Sequence, residues 1–432
     1  MTTIISVLNT QGIAIAADSA ATVTSGNIKK VYNKSNKLFT LSNYHPVGIA
    51  IYNSLNFEGI PWETLIKIYR KQLGKKKFDT IEKYKKNFLN FLLKNLNLIT
   101  SESKDNHFYI FCLTVLGEIK NKFSTSISSN SDKTINMAEE DAVNFLSPLF
   151  SKDLEEYKKY IESLPKNNLV KFTFADYDKE HGRHFIEIFN NLMDEIKIKY
   201  PKFDFNEEDK KIIKEIFYEA VKIEHIFEQS SGIVFMGFGD KEIYPTSQLV
   251  TIGAVINDTI RYKIEEAVSI SPGKCDANII PYAQGDVTMT VLTGVDPNYQ
   301  NEINSAVNTA FKTISSEVGS KITDQGESNK TTKIINDTSR ELIENLDKYR
   351  AETITRPLLN VLNNMGKEDM AEMAESLVSI TSLKRKFTPN SSDESVGGPV
   401  DVAIITKGDG FIWIKRKHYF DIKLNPRFLE NN

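Results

Sequence analysis

The stretch that decides the fold is the first 22 residues, which read MTTIISVL at positions 1–8 and GIAIAADSAAT at positions 12–22. Both runs are rich in apolar and β-branched residues, and the segment between them, NTQG at 9–12, has the composition of a turn. The pattern therefore predicts a β-hairpin of two strands. Aminopeptidases remove an initiator methionine when the next side chain is small, so we expect Thr2 to become the N-terminal residue.

An N-terminal threonine carries an α-amine and a hydroxyl on one residue. Because an α-amine titrates at about 7.7–8.0, near neutral pH part of it is unprotonated. That amine can accept the proton of its own hydroxyl as the oxygen attacks a carbonyl, which is one variant of nucleophilic catalysis. The position of Thr2 therefore makes it a candidate nucleophile, a role that internal threonines cannot fill in this way.

These residues resemble the start of proteasome β-subunits and HslV, members of the N-terminal nucleophile (Ntn) hydrolase family. In that family the mature chain opens Thr-Thr-Ile/Thr-Val and a second strand ends in Ala-Ala-Asp-Ser; Thr2 and Asp18 match this order and spacing. The family lysine is best matched by Lys37, which precedes the apolar run VGIAI at 47–51, and Lys30 is the competing match. The resemblance implies that the lysine lowers the pKa of the Thr2 amine and stabilises the alkoxide, while Asp18 orients the lysine. The alternative is an edge hairpin in which Asp18 only caps a turn.

A segment near the end of the chain resembles the family sequence Asp-x-x-Ser-Gly-Gly-x-Val. Asp393 matches the aspartate that supports the amine, whereas Val396 occupies the serine position and Ser395 lies one residue earlier. The resemblance also places Gln284 where the family has a helper serine, and it places the oxyanion-binding backbone amide at Ile51. These departures bear on catalytic efficiency and leave the expected fold unchanged.

The fold that the resemblance implies is α+β, a four-layer αββα Ntn-hydrolase sandwich of two antiparallel sheets with large helical insertions. The chain is divided accordingly. The predicted core comprises its N-terminal part at 1–56, a central sheet at 230–300 and the C-terminal strands at 381–432. A helical layer with a helical insertion is assigned to 57–229, and a second helical addition to 301–380.

Apolar residues recur every three or four positions through most of 57–229, which predicts amphipathic helices. Strands are predicted at 232–239, 249–255, 260–264, 400–406 and 411–415, and a core helix is predicted to start near 287–292. A polar stretch, 322–333, is interpreted as a loop or a flexible break between helices. Two further helical stripes are interpreted as core or subunit-contact faces, namely Leu342, Leu346, Tyr349 and Thr353, and then Met370, Ala374 and Leu377.

Composition narrows the function classes. A net charge of -3 and a pI near 6.2 argue against nucleic-acid binding. Two cysteines far apart, Cys112 and Cys275, predict neither a disulfide framework nor a cysteine-based zinc site. No long uncharged apolar run and no signal-peptide pattern are present. We therefore expect a soluble cytoplasmic protein that has no cofactor or metal and binds neither membranes nor nucleic acid.

Two function classes follow from the sequence. The first is a proteasome-like or HslV-like threonine peptidase that cleaves amide bonds of peptide or protein substrates through an acyl-ester on Thr2. The second is a catalytically silent scaffold or partner-binding protein with the same fold. The resemblance further implies a ring-like homo-oligomer, and it makes an ATPase or another protein a candidate partner.

Overall fold

The computed structural model describes residues 2–25, 28–134, 137–166, 173–388, 397–418, 420–421 and 424–425. The fold mixes helices with antiparallel sheets. The described strands are β1 (Ile4–Asn9), β2 (Gly12–Ala17), β3 (Ala21–Ser25), β4 (Ile28–Tyr32), β5 (Leu38–Thr40), β6 (Val47–Asn53), β7 (Asn56–Phe57), β8 (Ile60–Pro61), β9 (Ser231–Gly237), β10 (Thr246–Ile256), β11 (Thr259–Ile264), β12 (Val268–Ser269), β13 (Ala277–Ala283), β14 (Asp401–Thr406) and β15 (Gly410–Lys415).

The described helices are α1 (Trp62–Leu73), α2 (Ile81–Lys94), α3 (Ser101–Ser129), α4 (Ser131–Thr134), α5 (Glu139–Ser163), α6 (Phe174–Lys199), α7 (Glu207–Lys222), α8 (Asp286–Thr293), α9 (Pro297–Lys321), α10 (Gln325–Arg350), α11 (Arg356–Asn363) and α12 (Lys367–Phe387). Among the described residues, no helix combines the length and the hydropathy needed to cross a lipid bilayer.

The first sheet has the strand order β13-β1-β2-β14-β15, with every neighbouring pair antiparallel. The predicted N-terminal hairpin is confirmed as β1 and β2, in which Ile4 pairs with Ala17. The predicted terminal strands are confirmed as β14 and β15. The strands β13, β3 and β4 were not predicted. The register places the first residues of β1, the last of β2 and the first of β14 at one end of this sheet.

The second sheet has the order β11-β10-β9-β6-β5 and lies against the first. Side chains alternate across a strand, so Ile4 and Leu8 of β1 pack against Val234 and Met236 of β9, between the two sheets. Gly232 of β9 has no side chain, and the ring of Tyr52, its cross-strand partner, fills that space: a Cβ there would lie 2.0 Å from the ring.

Helices cover the outer faces of both sheets. On the first sheet, Ile5 and Val7 pack against Met370, Ala374 and Leu377 of α12, which confirms this stripe as core. On the second sheet, residues of β6 and β9 pack against α1 and α2, with Trp62 and Phe88 fully buried. Thr80 caps the N-terminus of α2 by accepting a hydrogen bond from the Lys83 amide at 3.3 Å.

A separate apolar cluster joins α3, α5, α6 and α7 and confirms that the central part of the chain is helical. This helical body contacts the second sheet through Ala254 and Ile256 of β10. At the junction, the buried guanidinium of Arg261 donates to Glu228 at 2.7 Å and lies over the Phe111 ring, 4.6 Å from its centroid.

A second tie links the helical body to the turn between β7 and β8. The His107 Nδ1 atom of α3 lies 2.9 Å from Oε2 of Glu58, whose side chain is buried. The hydrogen bond to this carboxylate raises the pKa of His107 above its ordinary value, against the opposing effect of burial. Protonated His107 therefore strengthens the attachment of α3 to the sheet.

The helices α9 and α10 form a long antiparallel hairpin. The predicted break between helices is present but shorter than 322–333: α9 continues to Lys321 and α10 begins at Gln325, which leaves only residues 322–324 outside the helices. Asp324 caps α10, accepting a hydrogen bond from the Glu327 amide at 2.7 Å, so the polar residues that follow it are helical rather than irregular.

Candidate active site

The site is organised by Asp18, the first residue after β2, whose carboxylate is buried. Its Oδ1 atom accepts hydrogen bonds from Lys37 Nζ at 2.7 Å and from the Thr3 amide at 2.8 Å. Its Oδ2 atom accepts from the amides of Ala20 at 3.1 Å and Gly397 at 3.2 Å. Four donors from four places in the sequence therefore fix one side chain.

The hairpin register explains how Asp18 reaches the start of the chain. Ile4 pairs with Ala17, and one step further the Asp18 amide donates to the Thr3 carbonyl at 3.1 Å. The Asp18 side chain then turns back to the Thr3 amide. Thr2 is the neighbour of this doubly held residue and is itself buried, with 5% of its surface exposed. The sheet thus places Thr2 next in sequence to the residue whose amide binds the Asp18–Lys37 pair.

Lys37 comes just before β5, and its side chain is fully buried. Burial lowers the pKa of Lys37 below its ordinary value, which outweighs the opposing effect of Asp18; the positive charge of Lys417 lowers it further. A buried amine with a lowered pKa and one carboxylate partner is the kind of group that active sites use to move or stabilise charge.

The two candidate lysines occupy different environments. Lys30 lies exposed on β4, with Nζ 5.2 Å from the centroid of the Tyr32 ring. Only Lys37, of these two, contacts Asp18. The structure therefore assigns the ion pair with Asp18 to Lys37.

The backbone amide expected to form the oxyanion hole is already used within the fold. The Ile51 amide donates to the Lys37 carbonyl at 2.8 Å, so the expectation that this N–H is offered to a substrate is wrong. This hydrogen bond extends the pairing of β5 with β6 one step beyond the Leu38–Ala50 pair. Because successive N–H groups of a strand point to opposite edges, the next amide on the same edge is that of Asn53, the last residue of β6.

Gln284 follows β13, whose last residue, Ala283, pairs with Ile4. Its φ of 51° is in the left-handed region, and its Oε1 atom accepts a hydrogen bond from Arg385 Nε at 3.0 Å. Arg385 also binds Asp286 at the start of α8. The Gln284 Nε2 atom is buried and has no hydrogen-bond partner among the described residues. The side chain is therefore held in place, and its unpaired donor lies near the start of β1.

Met1, Asp393, Ser395 and Val396 lie outside the described residues. The first described residue after that gap, Gly397, donates to Asp18 and accepts a hydrogen bond from the Ser19 amide at 3.1 Å. The C-terminal segment therefore contacts the site through Gly397, the first glycine of the Gly-Gly pair in the family-like motif.

Two contacts near the site were not predicted. The Ser19 hydroxyl donates to the Pro399 carbonyl. Lys417 donates through its Nζ atom and, at 2.9 Å, through its amide to the buried Asp401. Asp401 is visible in the sequence as a charged residue opening an apolar strand, whereas nothing in the sequence marks Lys417.

Among the described residues, no group of three or more His, Cys, Asp or Glu side chains is arranged to hold a metal ion. Comparisons with known proteins find no protein-family model that matches the chain and no match among curated proteins.

Proposed function

We propose that this protein is an N-terminal threonine hydrolase that cleaves peptide or other amide bonds once Met1 has been removed. The two facing sheets with helices on both outer faces support an Ntn-hydrolase αββα sandwich. The observation that carries the proposal is the fully buried Lys37–Asp18 pair, bonded at 2.7 Å and fixed to the residue next to Thr2. A buried ion pair costs desolvation energy, and this one is placed where an N-terminal threonine needs charge stabilisation.

In the proposed reaction the Thr2 amine accepts the hydroxyl proton as Oγ1 attacks the substrate carbonyl. The C–N bond of the tetrahedral intermediate then breaks, the proton passes to the leaving amine, and an acyl-ester remains on Thr2. Water adds to this ester, gives its proton to the Thr2 amine and releases the carboxylic acid, which restores the hydroxyl.

The roles of the neighbouring residues follow from their contacts. The positive charge of Lys37 stabilises the oxygen of Thr2 as negative charge develops, and Asp18 holds Lys37 in position. The unpartnered Nε2 atom of Gln284 can donate to a water near the amine. We assign the oxyanion hole to the Asn53 amide in place of Ile51, and Asp393 keeps its proposed role beside the amine.

The same fold supports a second candidate function, a catalytically silent scaffold. The observation that favours it is the engaged Ile51 amide, together with a glutamine where the family has a serine. Under either function, we propose that the chain self-associates into a ring-like homo-oligomer. An ATPase or another protein is the proposed partner that docks on it.

Intact mass spectrometry separates the two functions. The purified protein is measured before and after exposure to a β-lactone or epoxyketone, electrophiles that trap N-terminal threonines. Hydrolase function predicts loss of Met1 and a single adduct that is absent in Thr2→Ala. A protein that keeps Met1, or a free Thr2 that never acquires the adduct, would overturn the hydrolase proposal and favour the scaffold.

A further inference from the structure

The hairpin of α9 and α10 is the least buried large element among the described residues. Three hydrogen bonds across it fix which residues lie at the same level: Gly319 with Ser328, Asn308 with Ser339, and Gln300 with Arg350. Thr355, just beyond α10, donates to the Leu292 carbonyl of α8 at 3.1 Å and anchors the base of the hairpin to the body. The geometry of its faces can therefore be worked out level by level.

The hairpin has almost no core of its own. Ser315 is the only buried residue of α9 and Ser339 the only one of α10. Helices that pack in water normally bury an apolar stripe, and two helices joined mainly through half-buried side chains leave much of that stripe exposed. Of the two interpretations of the Leu342 stripe, core or subunit contact, the first is excluded because these residues lie at the surface.

The two faces of the hairpin differ in character. One face carries a shallow cavity that is lined by the seam residues Phe311, Ser339 and Ile343 together with polar residues, among them Lys312, Asn336, Arg340 and Glu344. Each of these four polar residues comes one position after a residue of the seam between the helices. In an antiparallel pair, residues one position before the seam residues lie together on the opposite face. That opposite face carries six large apolar side chains with exposed fractions between 40% and 68%: Tyr299, Ile314, Ile334, Leu342, Leu346 and Tyr349.

We propose that this apolar face, defined by those six residues, binds the same face of a second copy of the chain. The two-fold axis runs parallel to the hairpin, so α10 of one copy lies on α9 of the other and the four helices form an antiparallel bundle. The proposal concerns pairing of two copies and does not depend on catalysis by Thr2.

The face is complementary to itself under this rotation. A residue of α9 and the residue of α10 at the same height along the hairpin have numbers that add up to about 648, as the three hydrogen bonds across the hairpin show. Rotation about the two-fold axis keeps this height, so the same rule gives the contacts between copies. Leu342 of one copy therefore meets the small Ala306 of the other, while Ile334 meets Ile314 and Tyr349 meets Tyr299. At these three levels a large residue on α10 faces a small or apolar residue on α9, as in packed helices, whereas Leu346 lies level with Glu302.

The available area also suits a dimer. Helices of 25 and 26 residues extend about 38 Å, and two adjacent helices are about 20 Å wide. The face therefore offers about 750 Å² per copy, close to the roughly 800 Å² per partner of a standard stable interface. A partner of unrelated sequence would not require Leu342 and Ala306 to lie at the same level.

Light scattering of the full chain across about 0.1–50 µM provides the first test. The double variant Leu342→Glu, Leu346→Glu is expected to raise the dimer dissociation constant at least about 30-fold, because it places charges in an apolar interface. The control Lys312→Glu, on the polar face, should leave the mass unchanged. Circular dichroism of each variant confirms that the helices remain folded.

Mixed cysteine variants test the register in a Cys275→Ser background. Chains carrying Ala306→Cys, mixed with chains carrying Leu342→Cys, should form a covalent dimer, because facing residues come within disulfide reach. Replacing the first partner with Lys312→Cys should abolish the product.

A wild-type mass of 49 kDa at every concentration would overturn the pairing. An assembly whose mass is unaffected by the double glutamate variant, or cysteine pairs that cross-link equally on both faces, would overturn it as well. An assembly that halves in mass in the double variant supports it, whether or not Thr2 is ever labelled.

Discussion

Replacing Asp18 with asparagine keeps the size of the side chain and removes its charge. The carboxylate accepts two hydrogen bonds on each oxygen. An asparagine amide group would replace one of these oxygens and face two N–H donors, so at least two hydrogen bonds are lost. Lys37, which is fully buried, would also lose its only described carboxylate partner.

The structure sets the size of the effect. Breaking a buried ion pair by removing one partner costs about 3–5 kcal/mol. Whole-chain unfolding of 432 residues has an entropy of about 0.9 kcal/mol/K, at about 2.1 cal/mol/K per residue. The melting temperature of Asp18→Asn should therefore fall by about 3–6 °C. The rate of Thr2 labelling should fall by at least about 100-fold, because an unpaired buried lysine becomes neutral.

Differential scanning calorimetry at pH 7 measures the first effect, and mass spectrometry of the trapped adduct measures the second. The matched control is Asp240→Asn, which removes a carboxylate that pairs with Lys77 on the surface. Its melting temperature should change by less than about 1 °C, since exposed pairs contribute little. An Asp18→Asn protein that melts within 1 °C of the wild type would refute the reasoning about the buried pair.

Three further substitutions test separate features. Lys37→Met should abolish Thr2 labelling whereas Lys30→Met should not, and equal labelling of the two variants would contradict the assignment of Lys37. His107→Gln should lower the melting temperature more at pH 6 than at pH 9: the raised pKa stabilises the fold below the unfolded value of about 6.5, and this stabilisation is lost as pH rises through the folded value. Gly232→Ala should destabilise by about 1–3 kcal/mol in urea unfolding, since its methyl group meets the Tyr52 ring, and Tyr52→Ala should relieve most of this cost.

Local patterns carried most of the strand and helix predictions. The N-terminal and C-terminal hairpins were identifiable because apolar alternation and turn residues are encoded within a few positions. The short strands β3 and β4 were missed, since β3 alternates over only five mostly small or polar residues and β4 has two adjacent lysines that interrupt the alternation. The break predicted over 322–333 was placed correctly but made too long, because polarity was given more weight than the cap at Asp324.

Features that depend on tertiary contacts could not be derived from local patterns. Helical periodicity identifies Leu342 and Met370 equally well as members of a stripe, yet only Met370 is buried. The choice between Lys30 and Lys37 depended on which lysine the sheet brings to Asp18. The role of the Ile51 amide depended on how far β5 and β6 remain paired. The hydrogen bond from this amide to the Lys37 carbonyl uses the N–H within the sheet.

The four donors around Asp18 also determine when the site can exist during folding. Residue 397 is separated from Asp18 by 379 positions, so the last of these bonds closes a very long loop. Contacts of such high sequence separation form late and slowly, after local helices and hairpins. During synthesis on the ribosome, the hydrogen bonds around Asp18 near Thr2 therefore stay incomplete until nearly 400 residues have been made. Labelling of Thr2 would then report completed folding of the whole core, and a nascent chain would be unable to react with electrophiles before that point.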